Sequence, residues 1–371
     1  MFPETTPEPE GKVLMHINEQ KIQLSPEVAC ILASHRSSVF CCRWSPVNDQ
    51  LATASEDSTV ILWNIKDGIS TRHEVIGKPD IQSSDSGVSC IDWDVSGHYI
   101  AAGTLDAQVH IFSNTGSRIA TLSDHNNNIF SVQFNPSGTL LVTAGADHKA
   151  IVWDTSTFSK LQSFDFHKDT ILDVTWKDDK CFITASADHT IGVCTIGNTG
   201  FVVLTGHKAP VSVVSFNPSR TCLASASEDK TIKLWRSQNN NDSVVLNGHE
   251  KAVSALKWVP ENDFILVSGA LDGTIRLWDT IQYTCLYVIQ AHQNEIFAIS
   301  CSPNGKYIAS GSNDATITVS SVTEGKKILM FTGNSEVYDV QWSKDGNYIA
   351  AAFDDSTVAI IPFQNYIGEE N

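Results

Sequence analysis

Three observations predict an all-β fold, a single eight-bladed propeller. An aspartate recurs as Asp57, Asp106, Asp147, Asp188, Asp229, Asp272, Asp314 and Asp355, with successive gaps of 49, 41, 41, 41, 43, 42 and 41 residues. That is the period of a four-stranded antiparallel blade. Each repeat carries short stretches of alternating apolar residues separated by turn formers. The array runs from about residue 28 to 362 and fills the 371-residue chain, so a second domain has no room beside it.

The fifth repeat shows how the blade arises. Val211, Val213 and Phe216, then Leu223 and Ala224, then Ile232, Leu234 and Trp235 mark three short strands. Asn217-Pro218-Ser219-Arg220 and Glu228-Asp229-Lys230 supply the turns, and Ser243 to Leu246 forms a fourth strand leading into the next repeat. A histidine ahead of the first strand and a tryptophan ending the third recur with the aspartate. The set is complete in His35, Asp57 and Trp63, in His125, Asp147 and Trp153, in His207, Asp229 and Trp235, and in His249, Asp272 and Trp278. Elsewhere it decays, with Cys194, Ser320 and Ile361 in the tryptophan place, Asn334 in the histidine place of repeat eight, and no clear histidine in repeat two. Hydrogen bonding is the expected role: the carboxylate accepts from the imidazole, and a strand Ser or Thr joins the network. A His–Asp pair also looks like half of a catalytic triad, but this one repeats around the ring and no G-x-S-x-G accompanies it.

The ends predict how the ring closes. Repeat eight supplies three strands ending near Pro362, while Val28 to Leu32 reads as a strand without a blade. Pairing the two lets the N-terminal strand finish the last blade and removes two exposed edges. The propeller is therefore expected over 22–362, with tails at 1–21 and 363–371. Lys66 to Gly87 reads as a longer connection between the first two blades.

Composition narrows the function. At 42% hydrophobic and 18% charged, the chain can bury a large core. No apolar run reaches the roughly 20 residues that span a bilayer, and MFPETTPEPE at the start lacks the basic and apolar parts of a signal peptide. No membrane partner is expected. A net charge of −17 disfavours direct nucleic-acid binding. No C-x-x-C, H-E-x-x-H or G-x-x-x-x-G-K-[ST] is present, so no metal, cofactor or enzyme activity is expected. Seven of the nine cysteines sit in apolar strand patterns and read as small buried hydrophobes.

The loops carrying the histidines and aspartates share one face, the top. The residue after the first apolar residue of each inner strand should point to that rim: Phe40, Ser89, Phe130, Leu172, Ser212, Ser254, Phe297 and Tyr338. The following residue adds Asp173 and Asp339, and the turns before the marker aspartates add Glu56, Glu228 and Asp354. An acidic, aromatic rim suits a peptide bearing arginine or lysine.

The repeat resembles the WD40 family, and particular stretches resemble the WD40 part of the transducin beta-like corepressor subunits. These are IQLSPEVACILASHRSSVFCCRWSP at 22–46, FDFHKDTILDVTW at 164–176, and IGVCTIG at 191–197 with its cysteine in the tryptophan place. The resemblance implies a nuclear, non-enzymatic scaffold, a cytoplasmic pool being compatible, in an assembly with nuclear receptor corepressor and histone deacetylase 3 that engages histone tails and recruits ubiquitin machinery. Family members carry LisH and F-box-like segments before the propeller, whereas about 20 residues precede this one. Two alternatives stand beside it. A ubiquitin-ligase substrate adaptor of the cullin 4 type would show W-D-x-R, where this chain has Trp63-Asn64-Ile65-Lys66, Trp153-Asp154-Thr155-Ser156 and Trp278-Asp279-Thr280-Ile281. A G protein beta-like adaptor would have seven blades and a long N-terminal helix.

Overall fold

Each repeat folds into its own antiparallel sheet, and the computed structural model describes residues 22–24, 28–76, 86–198, 200–236 and 242–363. The innermost strands are Val39–Trp44, Val88–Trp93, Ile129–Phe134, Ile171–Trp176, Val211–Phe216, Val253–Trp258, Ile296–Cys301 and Val337–Trp342. Each packs against the innermost strands of both neighbouring blades, and blade eight returns to blade one, so the ring closes. Strand alternation feeds the two faces of a blade into different cores. In Tyr348–Phe353, Ile349, Ala351 and Phe353 pack toward blade seven, while Ala350 and Ala352 pack toward blade one.

The closing strand is as the sequence predicts. Cys30–Leu32 pairs antiparallel with Val358–Pro362, placing Cys30 opposite Ile360 and Leu32 opposite Val358. One strand was not anticipated: Ile22–Leu24 runs parallel to Lys327–Thr332 and makes blade seven five-stranded. Leu24 is buried in the core between blades seven and eight. Phe363, assigned to the C-terminal tail on sequence grounds, belongs to the same core, with its ring edge-on to Trp342 at 4.7 Å and to Tyr307 at 5.0 Å. Burying a ring of that size outweighs the ordering of one residue. The connection after blade one contributes that blade's fourth strand, Ile69–Ile76. Residues 77–85, and the expected tails at 1–21 and 364–371, lie outside the described residues.

The turn at each marker aspartate has one geometry. The next residue is left-handed in all eight blades: Ser58, Ala107, His148, His189, Lys230, Gly273, Ala315 and Ser356 have φ between 63° and 76°. In seven blades the aspartate holds that turn by accepting from the backbone N–H two residues on, as Asp229 does from Thr231 at 2.9 Å, whereas in blade two the Gln108 N–H donates to Thr104 Oγ1 at 3.1 Å. The nine cysteines are free, and burial pushes the Cys90 and Cys301 thiols up to about 12.

The histidine, aspartate and tryptophan converge on one hydroxyl. In blade five, His207 Nδ1 donates to Asp229 at 2.8 Å, Ser225 Oγ donates to His207 Nε2 at 2.8 Å, and Trp235 Nε1 donates to Ser225 Oγ at 2.9 Å. Thr53, Thr143 and Ser268 take the hydroxyl place in blades one, three and six, with Trp63, Trp153 and Trp278 donating at 2.9, 2.9 and 2.8 Å. Their histidines reach the aspartates at 3.3 Å for His35, 2.9 Å for His125 and 3.1 Å for His249. The decayed blades keep part of the chain. Blade four keeps His167, Asp188 and Thr184, and blade seven keeps His292, Asp314 and Ser310. In blade seven the hydroxyl of Ser320, in the tryptophan place, is buried with no partner among the described residues.

An unpartnered buried hydroxyl costs its desolvation, whereas Ser225 satisfies two neighbours. Ser320→Ala should therefore raise unfolding stability by about 1 kcal/mol in urea titrations, and Ser225→Ala should lower it by about 2 kcal/mol. Equal effects of the two changes would contradict this account of the network.

Candidate functional site

Every innermost strand carries a bulge at the residue after its first apolar position. In blade one Val39 opposes Ser55 and Cys41 opposes Ala54, leaving Phe40 without an opposing residue. The same shift leaves Ser89, Phe130, Leu172, Ser212, Ser254, Phe297 and Tyr338 unopposed. A bulge re-aims one side chain, and here it turns eight of them away from the ladder at the top of the channel.

Three of the four aromatics meet. Tyr338 of blade eight lies between Phe40 of blade one, at 5.9 Å between ring centroids, and Phe297 of blade seven, at 6.0 Å. Acids surround the trio. Tyr338 Oη donates to Asp354 at 3.1 Å, Ser38 Oγ donates to the same carboxylate at 2.7 Å, and Ser37 Oγ donates to Glu56 at 2.5 Å. Burial, the Asp354 hydrogen bond and the charges of Asp354, Glu336 and Glu56 push the Tyr338 hydroxyl up to about 12. Glu336 is a member that the strand pattern did not single out; its position two residues before Tyr338 was the available signal. Phe130, 38% exposed on blade three, makes no ring contact with the trio among the described residues. Glu228 is exposed on blade five, where the neighbouring loop carries Lys208. The acidic, aromatic sector therefore sits at the junction of blades seven, eight and one.

Asp173 and Asp339 do not face the rim, contrary to the sequence reading. Asp339 is buried and accepts from the Cys42 backbone N–H at 3.1 Å, from Arg43 and from Gln341. Asp173 accepts from the Val214 backbone N–H at 3.1 Å. The bulge uses up the residue before each aspartate, so the carboxylate turns into the channel wall and pins the next blade. Ser89 and Ser254 act similarly, each donating its hydroxyl to a backbone carbonyl of the following blade, Ile129 and Ile296.

Comparison with known proteins agrees with this geometry. The family model described as WD domain, G-beta repeat matches eight segments: 27–64, 79–113, 116–154, 158–193, 200–236, 241–279, 283–319 and 325–361. The chain is similar to the F-box-like/WD repeat-containing protein TBL1X of Mus musculus, 34% identical over 207 residues, 53% of this chain and 39% of the relative. It is also similar to the WD40 repeat-containing protein HOS15 of Arabidopsis thaliana, 35% identical over 218 residues, 55% of this chain and 35% of the relative. The crystal structure of the C-terminal WD40 domain of Sif2 superimposes with a TM-score of 0.80 at 24% identity, covering 91% of this chain and 99% of that one. The resemblance to the transducin beta-like group is thus borne out, and the chain spans well under half the length of these two relatives.

Beneath the rim, the braces fix their own protonation. Burial is the largest influence on the aspartates and opposes their charge, but hydrogen bonds outweigh it. Those from Thr231, the Lys208 backbone and His207 bring Asp229 down to about 2. Asp57, Asp147, Asp188, Asp272 and Asp314 are lowered in the same way. For His167, His207 and His249 burial wins over the aspartate and holds the rings neutral. An unfolded imidazole protonates near pH 6.5, above these folded values, so below pH 6.5 the unfolded chain binds more protons. That part of the stability is whole above pH 6.5 and is lost as the pH falls through the folded values. The Asp229 part follows, lost between about pH 4 and about pH 2. Ring-nitrogen NMR titration should find all three histidines protonating below pH 6.5, and midpoints at or above that value would overturn this assignment.

Proposed function

Because the chain belongs to the WD domain, G-beta repeat family, we propose that it is a non-enzymatic protein-interaction scaffold, the WD40 subunit of a nuclear transcriptional corepressor and histone deacetylase assembly. The observation that carries this reading is the trio of Phe40, Tyr338 and Phe297, bordered by Glu56, Asp354 and Glu336. Aromatic faces attract a guanidinium or ammonium group, and carboxylates at their edge give it charge-assisted hydrogen bonds. The ligand class is a peptide bearing arginine or lysine, such as a histone tail. Nuclear receptor corepressor and histone deacetylase 3 are the proposed partners, in keeping with the likeness to TBL1X.

The rim is ready for such a ligand. Asp354 is already oriented by Ser38 and Tyr338, and Glu56 by Ser37, so little side-chain order remains to be imposed on binding. The high Tyr338 value keeps its phenol protonated and able to donate throughout the physiological range.

Fluorescence anisotropy with a labelled histone-tail peptide should show affinity falling about tenfold or more in Phe40→Ala and Phe297→Ala. Phe130→Ala, away from the trio, should have the smaller effect. Affinity purification from nuclear extract should recover corepressor and deacetylase subunits with the unchanged chain and lose them with the double variant. Partner recovery unaltered by Phe40→Ala and Phe297→Ala together would defeat the top-face reading, and a wholly cytoplasmic partner set would defeat the corepressor reading.

A further inference from the structure

The opposite mouth of the channel has the reverse chemistry. Five innermost strands end there in tryptophan, and each indole donates to a carbonyl of the preceding blade: Trp44 to Gln341, Trp93 to Arg43, Trp176 to Gln133, Trp258 to Ser215 and Trp342 to Ser300. The indoles are therefore fixed across the blade seams. Beside them opens a cavity of about 320 Å³ lined by Arg43, Trp44, Trp93, Phe134, Trp176 and Arg220. A second, of about 250 Å³, shares Gln133 and Arg220 with the first and adds Lys257 and Trp258.

Charge at this mouth runs against that of the whole chain, which is −17. The lining residues include three cations, Arg43, Arg220 and Lys257, against one acid, Asp92. Asp92 is occupied by the Phe134 backbone N–H at 2.8 Å, and Arg43 is paired with Asp339. Arg220 gives one nitrogen to the Trp176 carbonyl, and the nearby Asp263 is taken by the Ser219 backbone N–H at 2.7 Å. Lys257 lies close enough to lower the Asp173 carboxyl, but among the described residues neither it nor Arg220 forms an ion pair.

We infer that this mouth is a second binding site, for an acidic peptide segment whose carboxylates meet Arg220 and Lys257 while a neighbouring apolar side chain enters the tryptophan-lined cavity. A concave apolar pocket with a few convergent polar groups is the usual form of a ligand site. Two cations outside any ion pair among the described residues are too few for a nucleic-acid backbone, whose affinity grows with the number of phosphates neutralised. Local charge complementarity with Arg220 and Lys257 favours an acidic segment at the mouth, against the repulsion of the chain's net charge of −17. The site is independent of the top rim.

The probe is a capped peptide of four glutamates around one phenylalanine, followed by tryptophan fluorescence and by calorimetry. Arg220 and Lys257 are both exposed, so Arg220→Gln with Lys257→Gln should keep the fold, which thermal melting checks. Expected are saturable binding that weakens with added salt, and a loss of about tenfold or more in the double variant. No binding, unchanged affinity in the folded double variant, equal binding of the peptide with glutamine for glutamate, or equal competition by a single-stranded oligonucleotide would each overturn the proposal.

Discussion

Everything in this molecule depends on closing the ring, because each blade buries its faces only against two neighbours. The pairing of Cys30–Leu32 with Val358–Pro362 achieves this, and the seam it creates is heavily tied. Across blades eight and one, Asp339 accepts from the Cys42 backbone and Arg43, Ser38 reaches Asp354, and Trp44 reaches the Gln341 carbonyl. Ile22–Leu24 adds a further strap on blade seven. The aromatic trio stands on these same three blades, so the proposed peptide site is assembled by closure. Phe297 and Tyr338 stand on consecutive blades, and Phe40, from the other end of the chain, joins them only in the closed ring.

The architecture was legible because a repeat of about 41 residues with a fixed aspartate leaves few alternatives. The rim aromatics were legible as well, since they share one place in every inner strand. What escaped has physical reasons. Asp173 and Asp339 were misplaced because a bulge changes which way the next residue faces, and alternation alone does not reveal a bulge. The strand at Ile22–Leu24 is three residues long and pairs parallel to a strand more than 300 positions away, so no local pattern announces it. Phe363 read as tail because the polar residues after it end the pattern one position too soon.

Net charge concealed a division between the two ends of the channel. The top junction gathers Glu56, Glu336 and Asp354 around three rings, while the opposite mouth gathers Arg43, Arg220 and Lys257 around tryptophans. Between them the wall holds Asp92 and Asp173, each raised to about 6 by burial and each satisfied by a backbone N–H of the next blade. The wall acids thus serve the joints between blades. At both mouths, by contrast, charged groups keep hydrogen-bonding capacity toward solvent.

The same accounting of hydrogen bonds separates bracing from catalysis. In a full network His207 Nδ1 is committed to Asp229 and Nε2 to Ser225, while Ser225 also accepts from Trp235. A serine acting as nucleophile must offer its oxygen to a substrate, and a general base must have a lone pair within reach of the proton it takes. Here the imidazole lone pair is already satisfied, and the hydroxyl is wholly buried between strands. The constellation that most resembles an active site is therefore what stiffens the loops above it. In blade one that stiffness holds the turn of Glu56, which directly precedes the braced Asp57.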